Sequence, residues 1–411
     1  MSCQIGFCWR EITFSDVFAS LALVLRVIVF RPVFLFLKRV NGGNSKPGPP
    51  ADTISQHEYR VNVKSWYCSC TMNPVRNSGN PISNGVNFWE KLPKPFFVLA
   101  PMEDVTDVAF RTLIAKYSSP DVPRVFYTEF TSADGLILAP LESKASNGAG
   151  RRKLFKKLEF SENERPVVAQ LFTSNLEHME AAAKMCRELG FDGFDINMGC
   201  PVNEVVRQNC GAALIKDPVH ARALIRAAKR GFEGPVSVKT RIGYNTDELE
   251  TWLPELLAEE PAAVVLHART RKEMSEVPAR WERVARAVEI RNALTSPTLI
   301  LGNGDVRDIA DARAKCEATG ADGAMLGRAV FGNPWLFSNR TDEPTQEEKI
   351  RTLIEHIGLF QNMMSGYQND AVMKRHFKAY IGGWDGAKEL RTRLMETSSL
   401  AESRAILTLE E

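Results

Sequence analysis

The chain has 411 residues, with 52 Lys+Arg against 50 Asp+Glu for a formal charge of +2, and is 44% hydrophobic and 25% charged. These proportions belong to a globular protein and exclude a collagenous, mostly disordered or polytopic membrane chain. The near-neutral balance gives no global sign of a nucleic-acid partner, so any such case rests on local patches. Eight cysteines form no CxxC pair and no His cluster has zinc spacing, which argues against a disulfide scaffold and a bound metal and for a reduced, cytoplasmic setting.

Residues 1–90 read differently from the rest. From Val17 to Leu37 an apolar run, VFASLALVLRVIVFRPVFLFL, has about the ~20-residue length of a membrane span. Arg26, Arg31 and Pro32 interrupt it, and a charge at mid-bilayer costs on the order of 3 kcal/mol. A Pro/Gly/Asn/Ser-rich stretch follows to about Asn87, with a near-repeat beginning at Asn73 and again at Asn80, too polar to order itself. Two readings stand: a membrane-tethering segment (17–37) with a flexible linker, or a non-native extension with the working chain starting near Met72. The second is preferred.

Residues 91–340 show short apolar, β-branched runs separated by helical stretches. The runs are Phe96 to Pro101, Arg124 to Phe130, Pro166 to Phe172, Phe194 to Cys200, Pro235 to Gly243, Ala262 to Thr270, Pro297 to Asp305 and Gly323 to Ala329. Continuous rather than alternating apolar character marks strands buried on both faces, as in parallel sheets. Leu176 to Gly190 and Pro218 to Gly231 are helix-period segments, each closing on a Gly read as a C-cap. Eight such units in series predict an α/β TIM barrel. A doubly wound sheet is disfavoured because no GxGxxG follows the first strand. Residues 341–411 turn wholly helical, with helices predicted over Glu347 to Gly366, Asp370 to Ile381 and Gly386 to Thr397.

An active site in such a barrel forms where the strands end. Those ends carry Pro101 and Met102, Glu129, Gln170, Asn197 with Cys200, Lys239 with Arg241, His267 with Arg269, Asn303-Gly304-Asp305, and Gly327-Arg328. The last two groups lie after strands seven and eight, where barrels commonly bind phosphate. Their glycines let backbone N–H groups approach an anion and Arg328 adds a charge-assisted clamp; two ordinary Gly turns are the plain alternative. Lys239 suits either a flavin's developing negative charge or a Schiff-base amine. Gln170 offers both donor and acceptor to a heterocycle edge. Cys200, between Gly199 and Pro201 on a sharp turn, suits a general acid, since a thiol of pKa about 8.5 keeps its proton at neutral pH. A free Cys is more often a small core hydrophobe, and Cys210 is a nearby competitor.

The stretches LAPMEDVTDVAFR, DINMGCPVNEVVRQNCGAALIKDP, VKTRIG, LHARTRKEM, GNGDV and ADGAMLGRAVFGNPWLF, in this order, resemble the tRNA-dihydrouridine synthase family, its bacterial branch in particular. The resemblance implies an FMN-binding barrel (91–340) followed by a helical tRNA-binding domain (341–411). It implies FMN contacts at Pro101, Met102, Gln170, Lys239, His267, Asn303, Gly304, Asp305, Gly327 and Arg328. Cys200 becomes the proton donor, and Asn197 and Arg241 face the target uracil. It further implies NADPH as the reductant of FMN, hydride transfer to C6 of uracil and protonation at C5. A monomer is expected, though no residue pattern reads out the oligomeric state. Two basic clusters are candidate RNA contacts: Lys374, Arg375, Lys378, Lys388, Arg391 and Arg393, and Arg151, Arg152, Lys153, Lys156 and Lys157. Rival readings are an FMN barrel acting on a free small molecule, and a flavin-free barrel or RNA-binding module.

Overall fold

The computed structural model describes residues 87–138 and 149–410, so the apolar run 17–37, Cys68 and Cys70 lie outside the described residues. Eight strands form the barrel: β1 (Phe96–Leu99), β2 (Arg124–Tyr127), β3 (Val167–Phe172), β4 (Gly193–Met198), β5 (Val236–Arg241), β6 (Ala263–His267), β7 (Leu299–Asn303) and β8 (Gly323–Leu326). All are parallel. Neighbours pair in sequence from β3 to β8, β8 pairs with β1, β1 with β2, and β2 with β3, which closes the cylinder. Each predicted run matches one strand, β4 starting one residue earlier at Gly193, and the two or three residues of the run beyond most strands form the mouth loops.

The outer ring is α1 (Val108–Tyr117), α2 (Ala133–Leu138), α3 (Ala149–Lys157), α4 (Leu176–Glu188), α5 (Pro218–Phe232), α6 (Leu249–Leu257), α7 (Trp281–Ala293) and α8 (Ile309–Thr319). Local chemistry starts them: Asn175 caps α4 by accepting from His178 N, and Asp217 caps α5 by accepting from His220 N with Pro218 in the first turn. Gly190, at φ 85, ends α4 as expected. Gly231 does not end α5. The left-handed residue there is Glu233, at φ 51, and Gly231 sits inside the helix because a Cβ would lie 2.1 Å from the Glu180 carbonyl oxygen of α4. Close helix packing, not capping, selects that glycine.

Strand residues alternate between two cores. Phe97, Leu99, Phe126 and Val238 pack outward against the helices. Phe96, Val98, Val125, Val265, Leu301 and Met325 pack inward, together with Phe88 and Trp89. Phe88 and Trp89 of the turn Phe88–Lys91 therefore pack into the barrel interior; Trp89 is fully buried, with its ring 5.5 Å from that of Phe96. Phe88 and Trp89, placed by the sequence in the 1–90 stretch, belong to the barrel.

The C-terminal helices are α9 (Gln346–Met364), α10 (Met373–Tyr380), α11 (Ala387–Glu396) and a fourth beyond the three predicted, α12 (Leu400–Thr408). Thr345 and Glu348 form a capping box at the start of α9. Their apolar faces close over Val108 and Ala109 of α1, so one barrel helix is shared by both cores. Tyr117 Oη donates to Glu355 of α9 at 2.9 Å. Among the described residues, no helix is long and apolar enough to cross a membrane.

Candidate active site

Parallel pairing in register sets functional side chains side by side near the strand ends. Gln170, Asp195 and Ser237 are register partners on β3, β4 and β5, and Asn197 is opposite Lys239. One step nearer the mouth, Arg241, His267 and Asn303 align across β5, β6 and β7.

The first layer is a continuous hydrogen-bonded chain. Ser237 Oγ donates to Asp195 Oδ1 at 2.6 Å, Tyr127 Oη lies 3.4 Å from the same oxygen, and Gln170 Nε2 donates to Asp195 Oδ2 at 2.7 Å. Asn197 Nδ2 donates to Gln170 Oε1 at 2.9 Å, and Asn197 Oδ1 accepts from the N–H groups of Gly199 at 3.1 Å and Cys200 at 2.9 Å. Burial pushes the Asp195 carboxyl up to about 6, with the Ser237 and Gln170 hydrogen bonds holding it down. Cys200 is 8% exposed, and burial raises its thiol, opposed by a hydrogen bond from the Val202 backbone and by the positive charges of Arg241 and Lys239. The thiol keeps its proton at neutral pH. Cys210, in the same small apolar cluster, is also pushed up by burial, to about 11, and its Sγ contacts the Gln208 carbonyl.

The second layer lines an open cleft of about 190 Å³ bounded by Ala100, Pro101, Met102, Lys239, His267, Arg269, Ser275, Asn303, Gly304, Asp305, Val306, Met325, Gly327 and Arg328. Nine of the ten residues expected around a cofactor line it; Gln170 does not, being buried one layer below. Among the described residues Lys239 Nζ donates to Asn303 Oδ1 alone, at 3.2 Å, and burial with the Arg241 charge lowers it to about 8. Arg241 spends Nε on the Gly199 carbonyl (2.8 Å) and Nη1 on those of Thr270 and Met274, and burial lowers it to about 10. Neither cation forms an ion pair among the described residues. His267 is held neutral by burial and by the surrounding Lys239, Arg241, Arg269 and Arg328. Since Arg269 only donates, His267 Nε2 accepts from it at 3.1 Å and the ring proton sits on Nδ1.

Asp305 is the cleft's acid. It binds Arg269 and Arg328, each at 2.5 Å, and accepts from Ala279 N–H; despite partial burial these partners hold it below the usual carboxylate range. Gly304, at φ 117, leaves no room for a side chain, since a Cβ would lie 2.8 Å from Ala279 Cβ and 3.1 Å from His267. Its carbonyl accepts from Trp281 Nε1 at 2.8 Å. The mouth is thus a basic, glycine-opened basin suited to an anionic ligand, with a protonated thiol one strand away.

Asp195 is a residue that the sequence reading left out of the site, and Arg269, placed at a strand end with His267, was given no cofactor contact. Arg269 had a signal, being two residues beyond His267 at a strand end. Asp195 had one too, lying on the same strand face as Asn197. The basic clusters are less free than expected. Lys374 donates to the Met395 carbonyl, Arg375 to those of Glu103 and Asp104, Arg391 to that of Ile381, and Arg393 pairs with Glu410. Lys378 and Lys388 are exposed with no recorded partner among the described residues. On α3, Lys156 pairs with Glu159 and Lys157 with Glu103, leaving Arg152 and Lys153 exposed.

A closed parallel barrel with its reactive side chains gathered at the strand ends defines this protein as a barrel enzyme. The family model described as dihydrouridine synthase matches residues 98–411. Similar proteins include a probable tRNA-dihydrouridine synthase of Staphylococcus aureus (strain COL), 39% identical over 327 residues that cover 78% of this chain and 94% of that protein. A second is the probable tRNA-dihydrouridine synthase 2 of Bacillus subtilis (strain 168), 40% identical over 78% of this chain and 95% of that protein. The chain belongs to the dihydrouridine synthase family. Among solved structures, histamine dehydrogenase from Rhizobium sp. 4-9 is 12% identical over 64% of this chain and 48% of its own, with a TM-score of 0.43, a likeness too slight to bear on function.

Proposed function

We propose that this protein reduces the C5=C6 bond of uridines in tRNA to 5,6-dihydrouridine, using FMN reduced by NADPH and Cys200 as proton donor. The observation that carries the reading is the unbalanced positive charge at the cleft: Lys239 in its lining and Arg241 beside it lack ion-pair partners among the described residues, His267 is forced neutral, and Gly304 and Gly327-Arg328 open the two loops where a phosphate would rest. That donor set fits FMN. Arg328 and the backbone around Gly304 would hold the phosphate, with Asp305 and Arg269 fixing the loop. Pro101, Met102, Lys239, His267 and Asn303 would line the ring system, and Gln170 would meet it from the layer beneath. Bound there, FMN supplies the hydride for C6 of uracil.

The chain's own residues do the rest. Lys239 places positive charge beside the ring where negative charge accumulates. Cys200 holds a proton on Sγ for C5 of the base. Arg241 keeps Nη2 for a base oxygen, its other nitrogens being committed to backbone carbonyls. Asn197 acts chiefly on the Cys200 turn, since its oxygen is taken by two backbone N–H groups. A uridine inside folded RNA must be unstacked to reach this depth, at a cost of a few kcal/mol that phosphate contacts from Lys378, Lys388, Arg152 and Lys153 would offset.

The test is direct. Purified protein should be yellow, and with NADPH it should convert uridine to dihydrouridine in a tRNA transcript, read by mapping the modified position. Colourless protein with no flavin after denaturation, or a yellow protein that reduces free uracil but not tRNA, refutes the reading.

A further inference from the structure

Asp195 is completely buried at the centre of β4 and no step of the proposed reaction uses it. A buried carboxylate with no ion pair is costly unless its hydrogen bonds have a purpose. Its partners show one. A carboxylate only accepts, so Gln170 must turn its NH2 toward Asp195 and its oxygen toward Asn197. Asn197 must then give its NH2 to Gln170 and keep its oxygen for the N–H groups of Gly199 and Cys200. Each amide has one permitted orientation because the chain ends on groups with a single role: Asp195, which cannot donate, at one end, and the Gly199 and Cys200 N–H groups, which cannot accept, at the other.

We propose that Asp195 is a positioning residue whose ionised carboxylate fixes the orientation of the Gln170 and Asn197 amides and thereby sets the turn that carries Cys200. This rests on the reading of Cys200 as proton donor given above. Ser237 and Tyr127 occupy the other carboxylate oxygen, so the network is anchored from β2 and β5 as well. The titratable groups facing Asp195 are Tyr127 on β2 and Lys239 on β5; burial pushes Tyr127 well above its ordinary value, and it stays neutral. A protonated Asp195, or an Asn in its place, can donate as well as accept. The Gln170 amide then loses its constraint at that end, and an inverted Gln170, which would set its NH2 against that of Asn197 or drive the Asn197 NH2 against two backbone N–H groups, is opposed from one end instead of two.

The experiment compares Asp195→Asn with the unaltered holoenzyme by stopped flow, separating reduction of the bound flavin by NADPH from its reoxidation by a tRNA transcript. Flavin occupancy and the NADPH step should stay unchanged, while reoxidation by tRNA slows by about ten- to a hundredfold, the scale set by an unpaired buried donor. The unaltered enzyme's reoxidation rate should fall on the acid side near pH 6, and Asp195→Asn should lack that limb. In flavin-stripped protein, iodoacetamide should alkylate Cys200 faster in Asp195→Asn, read by peptide mass. Equal reoxidation rates at every pH, or equal loss of flavin and of both half-reactions, overturn the proposal. If unaltered protein carries no flavin and leaves tRNA unreduced, the parent reading fails instead. The alkylation comparison still decides whether Asp195 holds the Cys200 turn.

Discussion

One layer beneath the barrel mouth, Asp195, Gln170 and Asn197 are buried yet every polar atom they present is engaged, and the acid at the head of the chain is ionised at neutral pH. Where α1 meets the C-terminal helices, His356 and His376 are equally buried and neither ring nitrogen of either residue has a hydrogen-bond partner among the described residues. Their rings pack on aromatic neighbours instead: His356 meets His376 edge-on at 4.6 Å, and Phe110 stacks on His356 at 4.7 Å and meets His376 edge-on at 4.8 Å. Burial lowers His376 to about 3 and holds His356 well below its ordinary value. The same physical step, removing a titratable group from water, therefore has two outcomes. With partners aimed at it the group keeps its charge and dictates orientation. Without them it loses its charge and serves as a flat ring.

The sharpest way to break the first region is Cys200→Ala. Reduction of tRNA should fall on the order of a hundred- to ten-thousandfold, the usual worth of a positioned acid, while the protein stays yellow. Persistent turnover would hand the role to Cys210 or solvent. The second region breaks with acid. An unfolded histidine gains a proton below its ordinary 6.5 and folded His376 resists until about 3, so stability falls as pH drops through that window, by about 1.4 kcal/mol per pH unit for each such ring. His376→Phe should move the acid-unfolding midpoint, followed by circular dichroism, to lower pH, with tRNA reduction at pH 7.5 unaffected. Asp195 responds with the opposite sign. Its folded value of about 6 exceeds the ordinary 3.8, so its ionisation costs stability as pH rises through that range, and Asp195→Asn should flatten the corresponding slope. The smallest effect concerns the outer face of the helices: replacing Lys378 and Lys388 with Ala should lower the salt dependence of tRNA binding by about one unit of slope per lost phosphate contact, measured by filter binding.

Much of the site was legible because barrel chemistry is local in sequence: a residue at the end of an apolar run reaches the mouth wherever the barrel closes. Pro101, Lys239, His267, Asn303 and Arg328 followed from that rule and line one cleft. Gln170 was singled out for contact with a ring, yet its amide is first committed to Asp195 and Asn197. Lys374 and Arg375 looked free on a basic helix, but their donors reach carbonyls of Met395 and of the loop after β1.

Sequence alone determined the eight strands, their parallel sense and the identity of the mouth residues, since burial on two faces writes itself into continuous apolar runs. Only the closed barrel decided which side chains meet: Asp195 joins Gln170 across 25 positions and Ser237 across 42, Gly231 is chosen by the carbonyl of a neighbouring helix, and Phe88 and Trp89 fill the interior. Periodicity along a chain encodes which face of an element is buried; strand register and helix approach, which no single segment carries, encode its partners.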